Sequence, residues 1–313
     1  MKKYLKYIGN IVSILSIAFI IKAMWTLGFD FSAVTNWPVF ILIVIVCVAI
    51  KTASVYVSAS AWYGWLSFFS GVKDKYKEGV LVYAKANIGK YLPGNVMHYV
   101  ERNLFADKLG ISQKKLAASS LFEVLSLVGS ALLIALLVSF SQLQEALLEI
   151  FGEGYVKIVI GAIAIGLVCF MALCFLLRKR LLVVLKEYTF SDFIKSLVCN
   201  MLLYGLSLVM LGVVMVILYC YMGGSFQIKS AELIISGYII AWVLGFIVPG
   251  APGGIGVREL VVTLLLGSIV GQGMIVTLSI THRLITVIGD FCAYLIMLVI
   301  RREMKSENAG KTQ

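Results

Sequence analysis

Long apolar stretches with almost no charge recur along the chain, for example over 40–50, 131–138 and 158–177. A helix of about 20 apolar residues crosses the roughly 30 Å hydrocarbon layer of a bilayer. These stretches are apolar on every face, whereas the strands of a membrane barrel alternate apolar and polar residues. The chain is therefore predicted to be an all-α, polytopic integral membrane protein.

The composition is that of a membrane protein and excludes a large soluble core. Hydrophobic residues make up 61% and charged residues 14% of the 313 residues, against about 45–50% and about 25% in soluble proteins. The net charge of +11 is divided among short basic clusters between apolar runs, which marks membrane topology and not nucleic-acid binding. The six cysteines lie in or beside apolar segments without zinc-ligand spacing, so they are interpreted as packing residues. No metal and no cofactor is expected.

Six segments are long enough to span the membrane, and two further apolar segments are interrupted by Pro and Gly. The predicted spans are 7–29, 38–63, 116–140, 155–177, 193–221 and 274–300. The interrupted segments, 79–103 and 231–271, are predicted to be helical hairpins. They divide a single transmembrane domain into a first half of about 1–140 and a second half of about 155–300, followed by a cytoplasmic tail over 301–313.

Basic residues predict the topology. Lys2, Lys3 and Lys6 place the N-terminus in the cytoplasm, and counting spans from there puts most of the 27 Lys and Arg residues on the cytoplasmic side. The expected location is the cytoplasmic membrane of a bacterium or archaeon, with both termini inside. The hairpins then enter from opposite faces, as in inverted-topology repeats. Span counting permits re-entrant hairpins or pairs of short spans, and re-entrant hairpins are preferred.

Three of the four prolines lie in the two hairpin breaks: Pro93, Pro249 and Pro252. A proline frees backbone carbonyls, which persist at membrane depth only beside protein or a water-filled cavity. The second break also carries four glycines: Gly250, Gly253, Gly254 and Gly256. Glycines permit close backbone approach to a ligand, and the helix N-terminus that follows favours an anion such as phosphate. The alternative is a tight turn between two short helices.

Charged residues inside the apolar segments are the second functional signal, because each costs about 2.5–3.5 kcal/mol at the bilayer centre. They are Lys51, Glu123, Arg258, Glu259, Arg283 and Asp290. Arg258 and Glu259 are about 100° apart on a helix and are expected to face different partners. Arg283 and Asp290 share a helical face and are expected to border a polar cavity or an ion-pair network. The alternative is that these charges only pair with one another and hold helices together.

The first break carries Lys90, Pro93 and Gly94, with Arg102 on its far side. Arg102 is a candidate ligand for a phosphate group, or it contributes only to the positive-inside signal. The two histidines, His98 and His282, are too few and too scattered for a metal site and are interpreted as hydrogen-bonded packing residues. The sequence contains neither a nucleophile elbow nor a Walker loop.

These features together resemble the lysylphosphatidylglycerol synthase transmembrane-region family, which is also described as flippase-like. The resemblance covers nearly the whole chain. It rests on Lys90-Tyr-Leu-Pro-Gly-Asn with Arg102, on Glu123, on Pro249-Gly-Ala-Pro-Gly-Gly-Ile-Gly-Val-Arg-Glu259, and on Arg283. It implies translocation of a phospholipid or a polyprenyl-phosphate-linked glycolipid between leaflets. The chain departs from the family pattern at Asn95, Met97, His98 and Val124. It is not expected to have an aminoacyl-transferase domain or to make an aminoacylated lipid.

The substrate-binding residues that follow from the breaks, the charges and the resemblance are Lys90, Pro93, Gly94, Arg102, Glu123, Pro249, Gly250, Pro252, Gly253, Gly254, Gly256, Arg258, Glu259, Arg283 and Asp290. The arginines are expected to contact phosphate, and the carboxylates to balance them or bind an amine or sugar. Two other functions stay open. One is an integral-membrane transferase acting on a lipid-linked sugar. The other is a non-catalytic membrane partner of envelope polysaccharide or lipid biosynthesis enzymes.

Overall fold

The structure is a computed structural model that describes residues 36–91, 97–135, 189–247, 254 and 256–310. This part of the chain is helical and contains no strand, which confirms the all-α prediction for it. Its helices are α1 (Trp37–Ser70), α2 (Tyr76–Asn87), a 3-10 helix (Ile88–Tyr91), α3 (Met97–Lys108), α4 (Gln113–Ala135), α5 (Phe190–Tyr221), α6 (Ile228–Ile247), α7 (Val257–Val270) and α8 (Gln272–Gly310).

Five of the described helices are long and apolar enough to cross a membrane: α1, α4, α5, α6 and α8. The 34 residues of α1 extend over about 50 Å, more than the roughly 30 Å of hydrocarbon. Outward positions carry large apolar side chains, including Leu42 on α1, Leu202 on α5 and Val299 on α8. An apolar outer surface is stable in lipid and unfavourable in water. The chain is therefore a multi-pass membrane protein.

Four of these helices correspond to the predicted spans 38–63, 116–140, 193–221 and 274–300, although the description of α4 ends at Ala135. The predicted spans 7–29 and 155–177 lie outside the described residues. The last helix continues to Gly310, so the first ten residues of the predicted tail extend α8.

Local sequence signals fix several helix ends. Asn36 caps α1 by accepting a hydrogen bond from the Val39 N–H at 3.2 Å, next to Pro38, which lacks an N–H to satisfy. Gly71 ends α1 in the left-handed conformation with φ +78°, which glycine adopts without steric penalty. Thr189 caps α5 by accepting from the Asp192 N–H at 3.2 Å.

The two interrupted segments are each a pair of helices, as predicted. The helices of the first pair are equal in length, and those of the second pair are not. In the first, α2 and α3 have 12 residues each, about 18 Å, and are too short to cross the hydrocarbon alone. In the second, α6 has 20 residues and α7 has 14, about 30 Å and 21 Å. The length of α6 fits a full span.

Helix α8 lies between the two helix pairs. It contacts α2 of the first pair and α7 of the second, and it also packs along α1, which in turn packs along α5. The Trp65 Nε1–H donates to Ser126 Oγ at 3.0 Å and so joins α1 to α4. Ser130 Oγ donates to the Met201 carbonyl at 2.8 Å and joins α4 to α5. This packing brings side chains from all the described helices to one interior region.

Candidate anion-binding cavity

A cavity of about 120 Å³ lies inside the bundle, lined by side chains from all eight α-helices and the 3-10 helix of the described chain. This volume holds several water molecules. Its described lining includes seven charged side chains: Lys51, Lys90, Arg102, Glu123, Arg258, Arg283 and Asp290. Five are basic and two are acidic, so the formal charge of this lining is positive.

Asp290 on α8 is the point where three parts of the chain meet. Its Oδ1 lies 2.9 Å from Lys51 Nζ and accepts a hydrogen bond from Asn87 Nδ2 at 2.7 Å. Its Oδ2 lies 2.7 Å from Lys90 Nζ, and the same Nζ donates to Asn87 Oδ1 at 3.2 Å. The carboxylate is 1% exposed. A buried carboxylate is stable only when its oxygens are paired in this way.

Gly289 makes room for the Lys51 side chain. A Cβ added at Gly289 would lie 2.8 Å from Lys51 Cβ, closer than packed atoms allow, and 3.3 Å from the Val48 carbonyl oxygen, which is a tight contact. Thr52 Oγ1 donates to the Gly289 carbonyl at 3.2 Å across the same contact. The missing side chain lets α1 approach α8 closely, and Lys51 reaches the neighbouring Asp290.

Arg102 on α3 and Glu123 on α4 form the second buried ion pair. Arg102 Nη1 donates to both carboxylate oxygens, at 2.8 and 2.7 Å, and the two side chains are 3% and 6% exposed. Arg102 is therefore no surface residue contributing only to a positive-inside signal. A single nitrogen serves both oxygens, so the fork geometry of guanidinium with carboxylate is not used here.

Aromatic rings surround the Arg102 guanidinium. Its Cζ lies 4.0 Å from the ring centroid of Tyr83, 5.3 Å from that of Trp62 and 5.5 Å from that of Tyr99. Stacking on ring faces stabilises a cation in a site that water reaches poorly. The Nε of Arg102 is buried and has no hydrogen-bond partner among the described residues. Pairing and stacking together fix the position of this charge beside the cavity.

Arg258 is held in a slot formed by glycines. A Cβ at Gly245 would lie 2.5 Å from Arg258 Cγ, and one at Gly254 would lie 2.7 Å from Arg258 Nε. Gly254 also has φ +76°, which disfavours any residue with a Cβ. The Arg258 Cζ lies 5.2 Å from the ring centroid of Trp242 on α6. The sequence predicts that a ligand approaches the backbone closely at Gly254, but in the structure the Arg258 side chain occupies that position.

Glu259 faces a different partner from Arg258, as expected from their spacing. Its Oε2 accepts a hydrogen bond from the Gly256 N–H at 2.7 Å, so the carboxylate lies at the N-terminus of α7. The helix dipole and free amide groups favour a negative charge there. The position predicted for a bound anion thus already holds the chain's own carboxylate, and Gly256 is the exposed N-cap of this helix.

Serine hydroxyls form the cavity wall between α1 and α5. Ser207 Oγ donates to the Ser54 carbonyl at 3.1 Å and lies 2.7 Å from Ser58 Oγ. Either hydroxyl of the Ser58–Ser207 pair can be the donor. Ser58 and Ser207 both line the cavity and add polar surface to it.

The two histidines have different surroundings. His282 Nε2 lies 3.1 Å from the Leu211 carbonyl, and its ring is 4.5 Å from that of Tyr238, so it is a hydrogen-bonded packing residue as interpreted. His98 lines the cavity, and its buried Nδ1 has no hydrogen-bond partner within the described ranges. His98 is therefore a cavity residue that is not among the predicted site residues.

The structure brings six of the predicted site residues to one cavity: Lys90, Arg102, Glu123, Arg258, Arg283 and Asp290. Gly254 borders Arg258 instead, and Gly256 and Glu259 form the N-terminus of α7. The other predicted site residues lie outside the described residues: Pro93, Gly94, Pro249, Gly250, Pro252 and Gly253.

Several cavity residues were missed or left out of the predicted binding set. Lys51 was noted as an intramembrane charge but was not assigned to the site. Asn87, three residues before Lys90, was overlooked, although the i, i+3 spacing places both on one helical face. Ser58, Ser207 and Trp242 carry no local signal that separates them from ordinary transmembrane residues.

Comparisons with protein-family models, with curated proteins and with solved structures find no match to this chain. The function is therefore inferred from the geometry and charge of the cavity.

Proposed function

We propose that this protein is a flippase-like membrane translocator that moves a phosphate-containing lipid or lipid-linked sugar between leaflets, with the headgroup in the cavity and the hydrocarbon tails in the bilayer. The observation that carries the proposal is the cavity itself. It lies inside a multi-pass helical bundle, and its described lining has five basic and two acidic side chains. A positive interior suits an anionic headgroup.

The physical need for such a cavity is clear. Moving an ionised phosphate through hydrocarbon without partners is prohibitively unfavourable, because the group loses its hydration and gains nothing in return. Guanidinium and ammonium groups replace that hydration with charge-assisted hydrogen bonds. A lipid headgroup that passes along Arg258, Arg283 and Lys90 stays solvated by the protein while its tails remain in lipid.

The broken helix pairs give this cavity its proposed access. Both pairs pack against α8, beside Arg283 and Asp290. We propose that they enter from opposite faces of the cytoplasmic membrane, with both termini inside, so that each leaflet has one route to the cavity. The short arms α2 and α3 support a re-entrant first hairpin.

A translocator fits the carboxylates better than a transferase does. Glu123 and Asp290, the two acidic groups in the described lining, are both held in buried ion pairs. General acid–base chemistry requires a carboxyl group that exchanges protons with the substrate. Carboxylates fixed by cations instead position those cations.

Transport in liposomes tests the proposal. Purified protein is reconstituted with a small fraction of fluorescent phosphatidylglycerol or phosphatidic acid, and a membrane-impermeant quencher reports the fraction that reaches the outer leaflet. The wild type is expected to accelerate exchange over protein-free liposomes, and Arg258→Ala to abolish most of that acceleration. Arg301→Ala removes an exposed arginine of α8 and serves as the matched control. Exchange no faster than in empty liposomes for every lipid would reject the function, and an Arg258→Ala variant as active as wild type would reject the site.

A further inference from the structure

The formal charge and size of the cavity narrow the class of headgroup that it accommodates. We infer that its ligand is a lipid ending in a compact phosphate monoester, carried as a dianion, such as phosphatidic acid or a polyprenyl monophosphate, and not an aminoacylated or sugar-bearing headgroup. The inference rests on the proposed function and makes it more specific.

The first reason for this inference is the net charge of the cavity lining. Five basic and two acidic side chains in the described lining leave a formal excess of three positive charges. A small adjoining cavity shares Arg258 and Arg283 and adds Glu259, which reduces the excess to two. A phosphate monoester carries about −1.5 to −2 at pH 7 and balances either value better than a diester with one negative charge. A lysyl-phosphatidylglycerol headgroup has two ammonium groups and one phosphate, so it is repelled.

The second reason is that the carboxylates of the cavity lining are already paired. An ammonium headgroup requires acidic partners, and both carboxylates of the described cavity lining already accept from cations of the protein. Glu123 accepts from Arg102 at 2.7 and 2.8 Å. Asp290 lies 2.9 Å from Lys51 and 2.7 Å from Lys90. A positively charged ligand must displace one of these buried partners, which leaves a buried charge unpaired and is strongly unfavourable.

The third reason is the small volume of the cavity. Pockets that enclose drug-sized ligands measure about 300–1,000 Å³, and this cavity measures about 120 Å³. A phosphate group with a few water molecules fits that space, whereas an oligosaccharide headgroup would extend well beyond it. The ligand therefore has its terminal phosphate in the cavity and little else that is polar.

The arginines give the monoester its expected contacts. Arg258 and Arg283 line both the main and the adjoining cavity, and Arg258 is held in position by Trp242 and the two glycines beside it. A planar guanidinium donates two parallel hydrogen bonds to a phosphate. A monoester has three terminal oxygens to accept them, and a diester has two.

Binding measurements test the inference. The full-length protein in detergent is titrated with dioctanoyl phosphatidic acid, farnesyl phosphate, dioctanoyl phosphatidylglycerol, a lysyl-phosphatidylglycerol of the same chain length, and inorganic phosphate. Both monoesters are expected to bind at least about ten-fold more tightly than phosphatidylglycerol, and the lysylated lipid more weakly still. Inorganic phosphate is expected to bind more weakly than the two lipid monoesters, because it lacks the tails.

Variants locate the effect. Arg283→Gln is expected to reduce the preference for monoester over diester by about ten-fold, and Arg283→Lys to lose only part of it. Arg301→Gln, on the same helix but exposed, is the matched control and is expected to keep the full preference. Thermal unfolding of each variant separates loss of binding from loss of fold. Equal binding of phosphatidylglycerol or the lysylated lipid would overturn the inference, as would equal binding of inorganic phosphate.

The same lipids in the transport assay separate this inference from the proposed function. Accelerated exchange of any labelled lipid, without a binding preference for monoesters, would overturn the inference and leave the translocator standing. Preferential binding of monoesters without accelerated exchange of any lipid would support the inference on the ligand and reject the translocator.

Discussion

Lys51 of α1 and Asp290 of α8 form an ion pair of 2.9 Å in which both side chains are more than nine-tenths buried. Lys90, from the 3-10 helix of the first broken segment, contacts the other oxygen of the same carboxylate at 2.7 Å. Asp290 therefore joins two membrane-spanning helices and the 3-10 helix of the first interrupted segment through one charged group. Its contribution to stability depends on every partner being present, because an unpaired charge in this interior is strongly destabilising.

Asp290→Asn is expected to lower the free energy of unfolding by about 3–5 kcal/mol, because it leaves the buried Lys51 and the partly buried Lys90 without their carboxylate. Denaturant unfolding in detergent micelles measures the change. Asp74→Asn is the control, since Asp74 pairs with Lys75 at 3.8 Å on an exposed surface, and such pairs contribute about 0–1 kcal/mol. Equal losses in the two variants would contradict the structural role of Asp290.

Substitutions of Arg102 and Glu123 are expected to have coupled effects on stability. Arg102→Met and Glu123→Leu are each expected to destabilise the protein by about 3–5 kcal/mol, because each leaves the other charge buried alone. The double variant is expected to lose less than the sum of the two, since it removes both charges together. A double-mutant cycle measures this coupling. Additive losses would show that the two side chains do not interact.

Gly289→Ala tests the close approach of α1 and α8. The new methyl group collides with the Lys51 side chain, so we expect a loss of roughly 1–3 kcal/mol in stability together with slower lipid exchange. Gly205→Ala is the matched control within α5, where the nearest atom to an added Cβ is 3.5 Å away. There the change is expected to be neutral or stabilising by up to about 1 kcal/mol. A Gly289→Ala protein as stable and active as wild type would refute the assigned packing.

Ser126→Ala tests a contact away from the cavity. It leaves the buried Trp65 Nε1–H, which donates to Ser126 Oγ at 3.0 Å, without its acceptor, and this is expected to cost about 1–3 kcal/mol. Ser119→Ala is the control on the same helix, because the hydrogen bond that this buried hydroxyl makes among the described residues is to the Leu116 carbonyl in its own turn. Thermal unfolding is expected to show the larger shift for Ser126→Ala, and the reverse order would contradict the contact.

Much of the helical architecture follows from the sequence, since each described helix that matches a predicted span is a long run of apolar residues and needs no knowledge of its neighbours. The caps at Asn36 and Gly71 are equally local. The exception is α6, which lies inside a predicted hairpin and is nevertheless long enough to cross the membrane. Proline and glycine predicted the break after it, but they did not predict the unequal lengths of its two arms.

The sequence by itself determined that this chain is helical, belongs in a membrane, and carries unusual charges inside its apolar segments, because composition and spacing are local properties of the chain. Only the tertiary structure decided which charges meet. Lys51 reaches Asp290 because Gly289 lets two distant helices approach, and Arg258 packs against α6 because Gly245 has no side chain there. Buried charges are paired when segments far apart in sequence pack against each other, and no local sequence pattern specifies which segments will do so.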